Sequence, residues 1–312
     1  MRHLIYLGQD AIKEVLRRFN SDDLAASSHW RNMHSTFSVS NNGTISGMRG
    51  FGGFYLRSNM IMRLAHFILG RGMVKLGAKF KSFPQVFYLA KEICKKQHRI
   101  VDQDMLRQVI TLSYLIDSKI PIPLDSEETI VLVIGDGWGS FSSLLLKSTS
   151  SRVILINLNK TLLADLISIN EGLNEISLCF IDSIQGLKSA LSDPSIRLIS
   201  LSAENYKLLA SANISLAINI ASMQEMTYES ILGYFDVMRN CPSEMLYFYC
   251  CNREKKTLPD GTLIEFAKYG WSDTDFIVDS GVCDWHQKYY TSKPPFFRQF
   301  DGVHIHRLAR LK

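Results

Sequence analysis

The sequence lacks any apolar run long enough to cross a bilayer. Its most apolar early stretch, Met60–Leu69, is short and contains Arg63 and His66, whereas a membrane-spanning helix needs about 20 predominantly apolar residues. Met1–Leu16 has a polar helical pattern without the apolar centre of a signal peptide. These absences predict a soluble, cytoplasmic protein.

Cysteine is also scarce, and its six residues form no C-x-x-C pair. Cys250 and Cys251 are adjacent in an apparent strand, so their side chains are expected on opposite faces of a sheet. With neither such pairs nor a secretory segment, we interpret all six as reduced thiols. Low-complexity segments and internal repeats are absent, and the composition, 46% hydrophobic and 21% charged, is that of a globular protein with a proper core.

Acidic residues are under-represented in the first part of the chain. Residues 1–125 hold 18 Lys and Arg against 9 Asp and Glu, and the remainder holds 17 against 21, so the net charge of +5 divides into +9 and −4. This asymmetry predicts two regions with different partners, residues 1–125 and residues 126–312. A solvated basic helical face is the alternative explanation. No feature indicates a nucleic acid as partner, and oligomeric state stays open.

Residues 1–125 have a helical pattern. A polar stretch from His29 to Gly53 interrupts it with turn formers, namely Asn41–Gly43, Gly50, Gly52 and Gly53. Helices are predicted over Asp10–Asn20, Asn59–Lys79, Gln85–Gln97 and Asp102–Ser118.

From Thr129 onward, strand and helix patterns alternate. Strands are predicted over Ile130–Gly135, Arg152–Asn157, Ile214–Ile220 and Met245–Cys251, with Ile176–Ile181 and Ile196–Leu201 also strand-like and a late pair at Phe276–Asp279 and Gly302–Leu308. Helices are predicted over Thr161–Glu171 and Glu225–Arg239. Alternation of this kind predicts an α/β fold with a doubly wound, mostly parallel sheet, preceded by a helical N-terminal region.

The sharpest local signal is a glycine turn after the first of these strands. Gly135, Gly137 and Gly139 follow a buried apolar run and precede a helix. Glycine is needed where a backbone turns tightly and a ligand approaches closely, and such a turn lies at the carboxyl edge of a parallel sheet, where ligands bind.

Two cofactors compete for this turn. The dinucleotide fingerprint G-x-G-x-x-G would place its third glycine at Ser140, whereas the third glycine here is Gly139, a spacing associated with S-adenosylmethionine (SAM). Asn157, at the end of the second strand, is the candidate for the ribose hydroxyls, without the charge of an acid. Val133 occupies a position that is acidic in many methyltransferases, although Asp136 is close by. Asn219, after a later strand, completes the predicted cofactor site.

Several short segments resemble the sugar O-methyltransferases of bacterial polysaccharide loci. They are Arg107–Leu115, the glycine turn, Asn219–Met226, Leu246–Arg253, Cys283–Tyr290 and His306–Leu311. The resemblance implies transfer of a methyl group from SAM to a sugar hydroxyl, in a Rossmann-like domain of class I methyltransferase type beside a helical region. The family pattern usually has Asp at the end of the second strand, where this chain has Asn157.

A sugar hydroxyl needs a base to accept its proton, and two residues are candidates. Glu225 follows a strand at the same sheet edge as the glycine turn; alternatively, it caps the next helix, with Ser222 three residues before it. His286 lies in the polar, aromatic run Asp284–Tyr290 and has a side chain suited to base chemistry near neutrality. A purely structural loop is its alternative.

No metal site is predicted. His304 and His306 alternate along a strand and share one face with Asp301 near them, but no third strong ligand is suitably spaced. We expect these histidines in the core or on the sheet face.

A basic segment, Arg57–Lys81, contains six Lys and Arg and no acidic residue. Its apolar positions Met60, Leu64, Phe67 and Ile68 can line one helical face, which predicts contact with an anionic membrane surface. Packing of that face on the cofactor domain is the alternative.

The sequence therefore predicts a SAM-dependent sugar O-methyltransferase, cytoplasmic and peripheral to the inner membrane face. Two rival functions remain open. One is an NAD-dependent oxidoreductase of the nucleotide-sugar type, and the other is a methyltransferase-like domain that assembles with other proteins without catalysing a reaction.

Overall fold

The computed structural model describes residues 5–19, 23, 25–39, 45–47, 59–174 and 176–312. The predicted turn formers Asn41–Gly43, Gly50, Gly52 and Gly53, and the basic residue Arg57, lie outside the described residues. The helices are α1 (Gln9–Arg17), α2 (Ser28–His34), α3 (Met60–Leu69), α4 (Arg71–Gly77), α5 (Phe83–Lys96), α6 (Gln103–Asp117), α7 (Ser140–Ser148), α8 (Asn159–Leu173), α9 (Ile184–Ser192), α10 (Tyr228–Asn240) and α11 (Asp284–Gln287).

The strands are β1 (Tyr6–Leu7), β2 (Ser38–Val39), β3 (Ile45–Ser46), β4 (Ile130–Ile134), β5 (Arg152–Asn157), β6 (Leu178–Phe180), β7 (Leu198–Ser202), β8 (Leu216–Ile220), β9 (Leu246–Arg253), β10 (Lys255–Thr257), β11 (Leu263–Glu265), β12 (Phe276–Val282), β13 (Lys288–Tyr290), β14 (Phe297–Gln299) and β15 (His304–Leu311). Short 3₁₀ helices cover Ala203–Ser211, Met223–Glu225 and Phe266–Lys268.

Within the described residues, nine strands form the main sheet, in the order β1-β6-β7-β5-β4-β8-β9-β15-β12. The strands from β6 to β9 pair in parallel, whereas β15 runs antiparallel to both β9 and β12. The two strand-like segments Ile176–Ile181 and Ile196–Leu201 form β6 and β7 of this sheet, and the late pair is present as β12 and β15. The predicted doubly wound, mostly parallel α/β fold is confirmed.

Helices cover both faces of the sheet because the parallel strands are apolar on both sides. All five residues of β4 are buried, for example, as expected for a central parallel strand. One core lies between one sheet face and helices α1, α5, α6, α7 and α8. The other core lies between the opposite face and helices α9 and α10. Residues 1–125 thus supply much of one helical layer and share its core with residues 126–312.

Two predicted helices have different bounds in the structure. The predicted helix over Asn59–Lys79 divides at Gly70 into α3 and α4, because glycine is a weak helix former. The predicted helix over Glu225–Arg239 begins only at Tyr228, where the Thr227 side chain accepts a hydrogen bond from the Ser230 N–H (3.2 Å). Within the part of the chain that the structure describes, no helix combines the length and apolarity needed to traverse a bilayer.

Candidate functional site

The candidate site lies where the strand order reverses. Chain connections lead from β4 to β5 on one side, whereas β8 pairs with β4 on the other. In doubly wound sheets this reversal opens a crevice at the carboxyl ends of the strands, where ligands bind. The glycine turn leaves β4 at this edge, and Ala221 and Ser222 leave β8 beside it.

The glycine turn requires its glycines. Gly135, Gly137 and Gly139 have φ values of 68°, 60° and 58°, in the left-handed region that other residues rarely adopt. A Cβ atom at Gly135 would lie 2.3 Å from Ser222 Oγ, and one at Gly139 would lie 2.7 Å from the Asp165 carbonyl oxygen. The turn is therefore fixed against both the β8 end and helix α8.

Asp136 accepts hydrogen bonds at the N-terminus of helix α7. Its carboxylate oxygens accept hydrogen bonds from the backbone N–H groups of Phe141 (2.8 Å) and Ser142 (2.7 Å). The side chain is buried, and burial raises its pKa. Two of the N–H groups that a helix start would offer to an anionic ligand are therefore already bonded to an acid of the chain itself.

Asn157 lies at the end of β5 and lines the cavity described below. Its Nδ2 donates to Asp165 Oδ2 (2.7 Å), and its Oδ1 accepts from Leu158 N (2.9 Å) and Thr161 Oγ1 (2.8 Å). One Nδ2 proton is left for a ligand, since an amide has two. Asp165 is fully buried and also accepts from Gly139 N (2.9 Å), and burial, with Asp136 nearby, raises its pKa well above the usual range.

Asn219 connects the two chain segments that form the edge of the site. It is fully buried, and its Nδ2 donates to the Ile134 carbonyl (2.8 Å) and to Ser222 Oγ (2.8 Å). Its Oδ1 accepts from Asn252 Nδ2 (2.8 Å) and Met223 N (3.1 Å). The structure thus places Asn219 between the glycine turn and the β8 end, with its amide occupied by the chain.

A cavity of about 760 Å³ opens over this edge, within the usual volume range of small-molecule sites. Helix α2 forms one wall, with its N-cap Ser27 bonded to the Glu225 carbonyl. Trp30 on this helix packs with Leu158 and Ala203. The lining includes all predicted site residues except Gly139 and Asn219: Gly135, Asp136, Gly137, Asn157, Glu225 and His286.

Glu225 forms an ion-paired group at the cavity wall. Its carboxylate bonds to the Lys256 ammonium group and lies 3.5 Å from His29 Nε2. His29 also lines the cavity, and burial lowers its pKa, with Glu225 acting in the opposite direction. The alternative that Glu225 caps the next helix is wrong, because Thr227 caps α10 and Ser222 Oγ bonds near the glycine turn instead.

His286 lies in another part of the cavity lining, beside Arg107 of α6. Its ring is buried, and its Nε2 atom has no hydrogen-bond partner among the described residues. Burial, followed by the positive charge of Arg107 and the neighbouring His304, lowers the pKa of His286 well below its usual value.

His304 and His306 are buried on β15, and the expectation of core histidines is met. His306 packs against the rings of Tyr114, Tyr249 and Trp285. Asp301 is exposed.

Sequence reasoning missed His29, Asp165 and Lys256. His29 lies on α2, far from Glu225 along the chain, and no motif connects the two. Asp165 lies on α8, eight residues after Asn157 at the end of β5, and no spacing rule of helices or strands connects the two positions.

No protein-family model matches the chain, and no curated protein sequence matches it at a significant level. Solved structures with a similar fold include a candidate O-methyltransferase from Nostoc punctiforme, which is 12% identical, with 97% of this chain and 95% of that chain covered at a TM-score of 0.40. The 1,6-didemethyltoxoflavin-N1-methyltransferase of Burkholderia thailandensis, solved with S-adenosylhomocysteine, is 13% identical over 66% of this chain and 87% of that chain, with a TM-score of 0.33.

The pyocyanin biosynthetic protein PhzM is 11% identical, with 43% of this chain covered and a TM-score of 0.27, and the match spans 34% of the PhzM chain. At these low identities and TM-scores, the assignment of fold rests on the strand order and connections of the chain itself.

Proposed function

We propose that the glycine turn and Asn157 bind SAM and that the protein is an O-methyltransferase. The observation that carries this proposal is a single cavity lined by both the glycine turn and the His29–Glu225 pair. The part of the cavity at the glycine turn suits an adenosyl cofactor, and the part at the His29–Glu225 pair offers a proton acceptor. The similar fold of the Burkholderia thailandensis enzyme, solved with S-adenosylhomocysteine, agrees with the choice of cofactor.

Asp136 favours SAM over NAD. A dinucleotide places its pyrophosphate on the free N–H groups of the helix after the first strand, but here Asp136 occupies two of them. The reversed strand β15 also departs from the all-parallel dinucleotide order.

His29 is the proposed general base. When bound, SAM supplies a methyl group on a positively charged sulfur. His29 takes the proton of the attacking hydroxyl, and Glu225 holds the imidazole and stabilises its protonated form. Lys256 fixes Glu225 by an ion pair. Since burial lowers the pKa of His29, the ring is neutral near pH 7, as a base must be.

A sugar hydroxyl of a surface polysaccharide or its precursor is the proposed acceptor. The family resemblance supports this choice, and so does the mixed lining of the cavity. Trp30 and Tyr206 offer ring faces, while Arg31, Gln108 and Glu204 offer polar groups. Aromatic and polar groups side by side suit a ring with both apolar faces and hydroxyls.

The test is mass spectrometry of the purified protein for carried-over SAM or S-adenosylhomocysteine, followed by incubation with SAM and a panel of sugar nucleotides and lipid-linked glycans. Release of S-adenosylhomocysteine that depends on a sugar supports the proposal. Cofactor binding without turnover on any acceptor points to the non-catalytic assembly domain instead.

We also propose that helix α3 attaches the protein to an anionic membrane. None of its residues is buried, and the exposed fractions of Met60, Leu64 and Phe67 are 85%, 59% and 64%. Among the described residues, these apolar side chains are exposed, which favours membrane contact over the alternative of packing on the cofactor domain. Nearby exposed basic residues, Arg71, Lys75, Lys79 and Lys81, complement anionic lipid headgroups.

A further inference from the structure

Two cysteines and a histidine meet beside the cavity. Cys251 is in β9, Cys283 follows β12, and His286 is in α11. One potential ligand atom from each, a sulfur or a ring nitrogen, lies within 4.8 Å of the others, and all three residues are buried. Two chain segments converge on this group, strand β9 and the N-terminus of α11, where Cys283 is the N-cap residue, although the sequence contains no C-x-x-C pair.

The chemistry of the three side chains suits a soft or borderline metal ion. Thiolate and imidazole are the ligands that zinc prefers, and a tetrahedral centre with Zn–S distances of about 2.3 Å places its sulfurs about 3.8 Å apart. The spacing in the protein therefore needs only a small contraction. Moreover, His286 Nε2 is buried and has no hydrogen-bond partner within the part of the chain that the structure describes. An unpaired buried polar atom is costly, and a bound metal ion would satisfy the ring.

We propose that Cys251, Cys283 and His286 bind a Zn²⁺ ion. Binding replaces two thiol protons by two metal–sulfur bonds, so two protons are released to solvent for each ion bound. Three protein ligands leave a fourth position, as in catalytic zinc sites rather than closed structural ones. Since His286 also lines the cavity, that position suits a water molecule or a hydroxyl group entering from the cavity.

This site is independent of the cofactor that the glycine turn binds. The proposal departs from the expectation of no metal site, and it gives His286 a ligand role in place of the predicted base, because a ring nitrogen bound to zinc cannot act as a general base. The base is then left to His29.

The test is metal binding by tag-free, reduced protein. Elemental analysis after purification is expected to find about one zinc per chain. Titration of chelator-treated protein with Co²⁺ is expected to produce thiolate-to-cobalt absorption in the near ultraviolet and the visible bands of a tetrahedral site. Both readouts are independent of methyl transfer, so failure of the proposed function leaves them interpretable.

Cys251→Ser and His286→Asn are the test variants, and Cys250→Ser is the matched control. Cys250 is equally buried but faces the opposite core. The test variants are expected to bind Co²⁺ about tenfold more weakly or worse, while Cys250→Ser keeps the wild-type spectrum. Circular dichroism of each variant checks that it is folded. Folded wild-type protein that binds neither ion, or equal loss in Cys250→Ser and Cys251→Ser, would overturn the proposal.

Discussion

At the scale of single residues, the role proposed for the His29–Glu225 pair predicts how two substitutions change turnover. Replacement of His29 by Asn removes the proposed base, and Glu225→Gln removes the charge that stabilises its protonated form. We expect kcat to fall by about a hundredfold or more for His29→Asn, with the Kd of SAM little changed. The measurement is S-adenosylhomocysteine release alongside cofactor titration.

Glu128→Gln serves as the control, because Glu128 is exposed and outside the cavity. If His29→Asn and Glu225→Gln both keep turnover within a few-fold of the control, the base lies elsewhere or catalysis relies on positioning alone.

The sequence indicates that a residue lies at this sheet edge only where the residue is close along the chain to a recognisable strand. The glycine turn could be located because strand, glycines and helix are consecutive, and Glu225 because it follows a strand. The sequence shows that Asp136 is close to the turn, but not that its oxygens accept hydrogen bonds from the first turn of α7. His29 was missed because its proximity to Glu225 depends on how α2 folds over the sheet, which is a long-range contact.

At the scale of elements, the exposed apolar face of helix α3 and the basic residues near it predict that the protein attaches to membranes in a salt-sensitive way. Wild-type protein is expected to co-sediment with anionic vesicles at low salt and to be released at high salt, because exposed charges are screened beyond about 10 Å at 0.1 M salt. Arg71→Glu/Lys75→Glu is expected to weaken sedimentation strongly.

The matched control is Lys188→Glu/Lys207→Glu, which reverses two exposed charges elsewhere on the surface. Attachment unaffected by salt, or weakened equally by both double variants, contradicts a role for the α3 face.

The periodicity of apolar residues predicts which helices and strands are present, but it does not predict where each of them begins and ends. The four N-terminal helices and all eight predicted strand segments are present within a few residues of their predicted bounds, because buried faces repeat regularly. The division of the predicted helix at Gly70 and the late start of α10 are determined by local contacts. These contacts include helix capping and the hydrogen bond between Asn219 and Ser222 in the turn before α10. The periodicity of apolar residues contains no information on such contacts.

At the scale of the whole molecule, stability is expected to fall as the pH drops below neutrality. Burial, with a contribution from Lys160, lowers the pKa of His34 to about 4. A buried neutral histidine stabilises the fold fully above its unfolded pKa of about 6.5, and this contribution is lost as the pH falls toward the folded pKa. For His34 the loss is up to about 2 kcal/mol at pH 5.

The measurement is the urea midpoint at pH 7 and pH 5 for wild type and His34→Gln. The variant is expected to lose less stability between the two pH values. His98→Gln, at an exposed histidine, is expected to keep the wild-type dependence. A pH dependence that is the same in all three proteins removes His34 as its source.

The central claim, that the glycine turn binds SAM, is tested most directly by isothermal titration of the protein with S-adenosylhomocysteine and with NAD. Gly137→Ala places a side chain at the cavity lining at φ 60°, and Gly261→Ala introduces comparable backbone strain at φ 88° in open space. We predict that wild type and Gly261→Ala bind S-adenosylhomocysteine and not NAD, and that Gly137→Ala binds it at least about tenfold more weakly. Tighter binding of NAD, or undiminished S-adenosylhomocysteine binding by folded Gly137→Ala, would contradict the account.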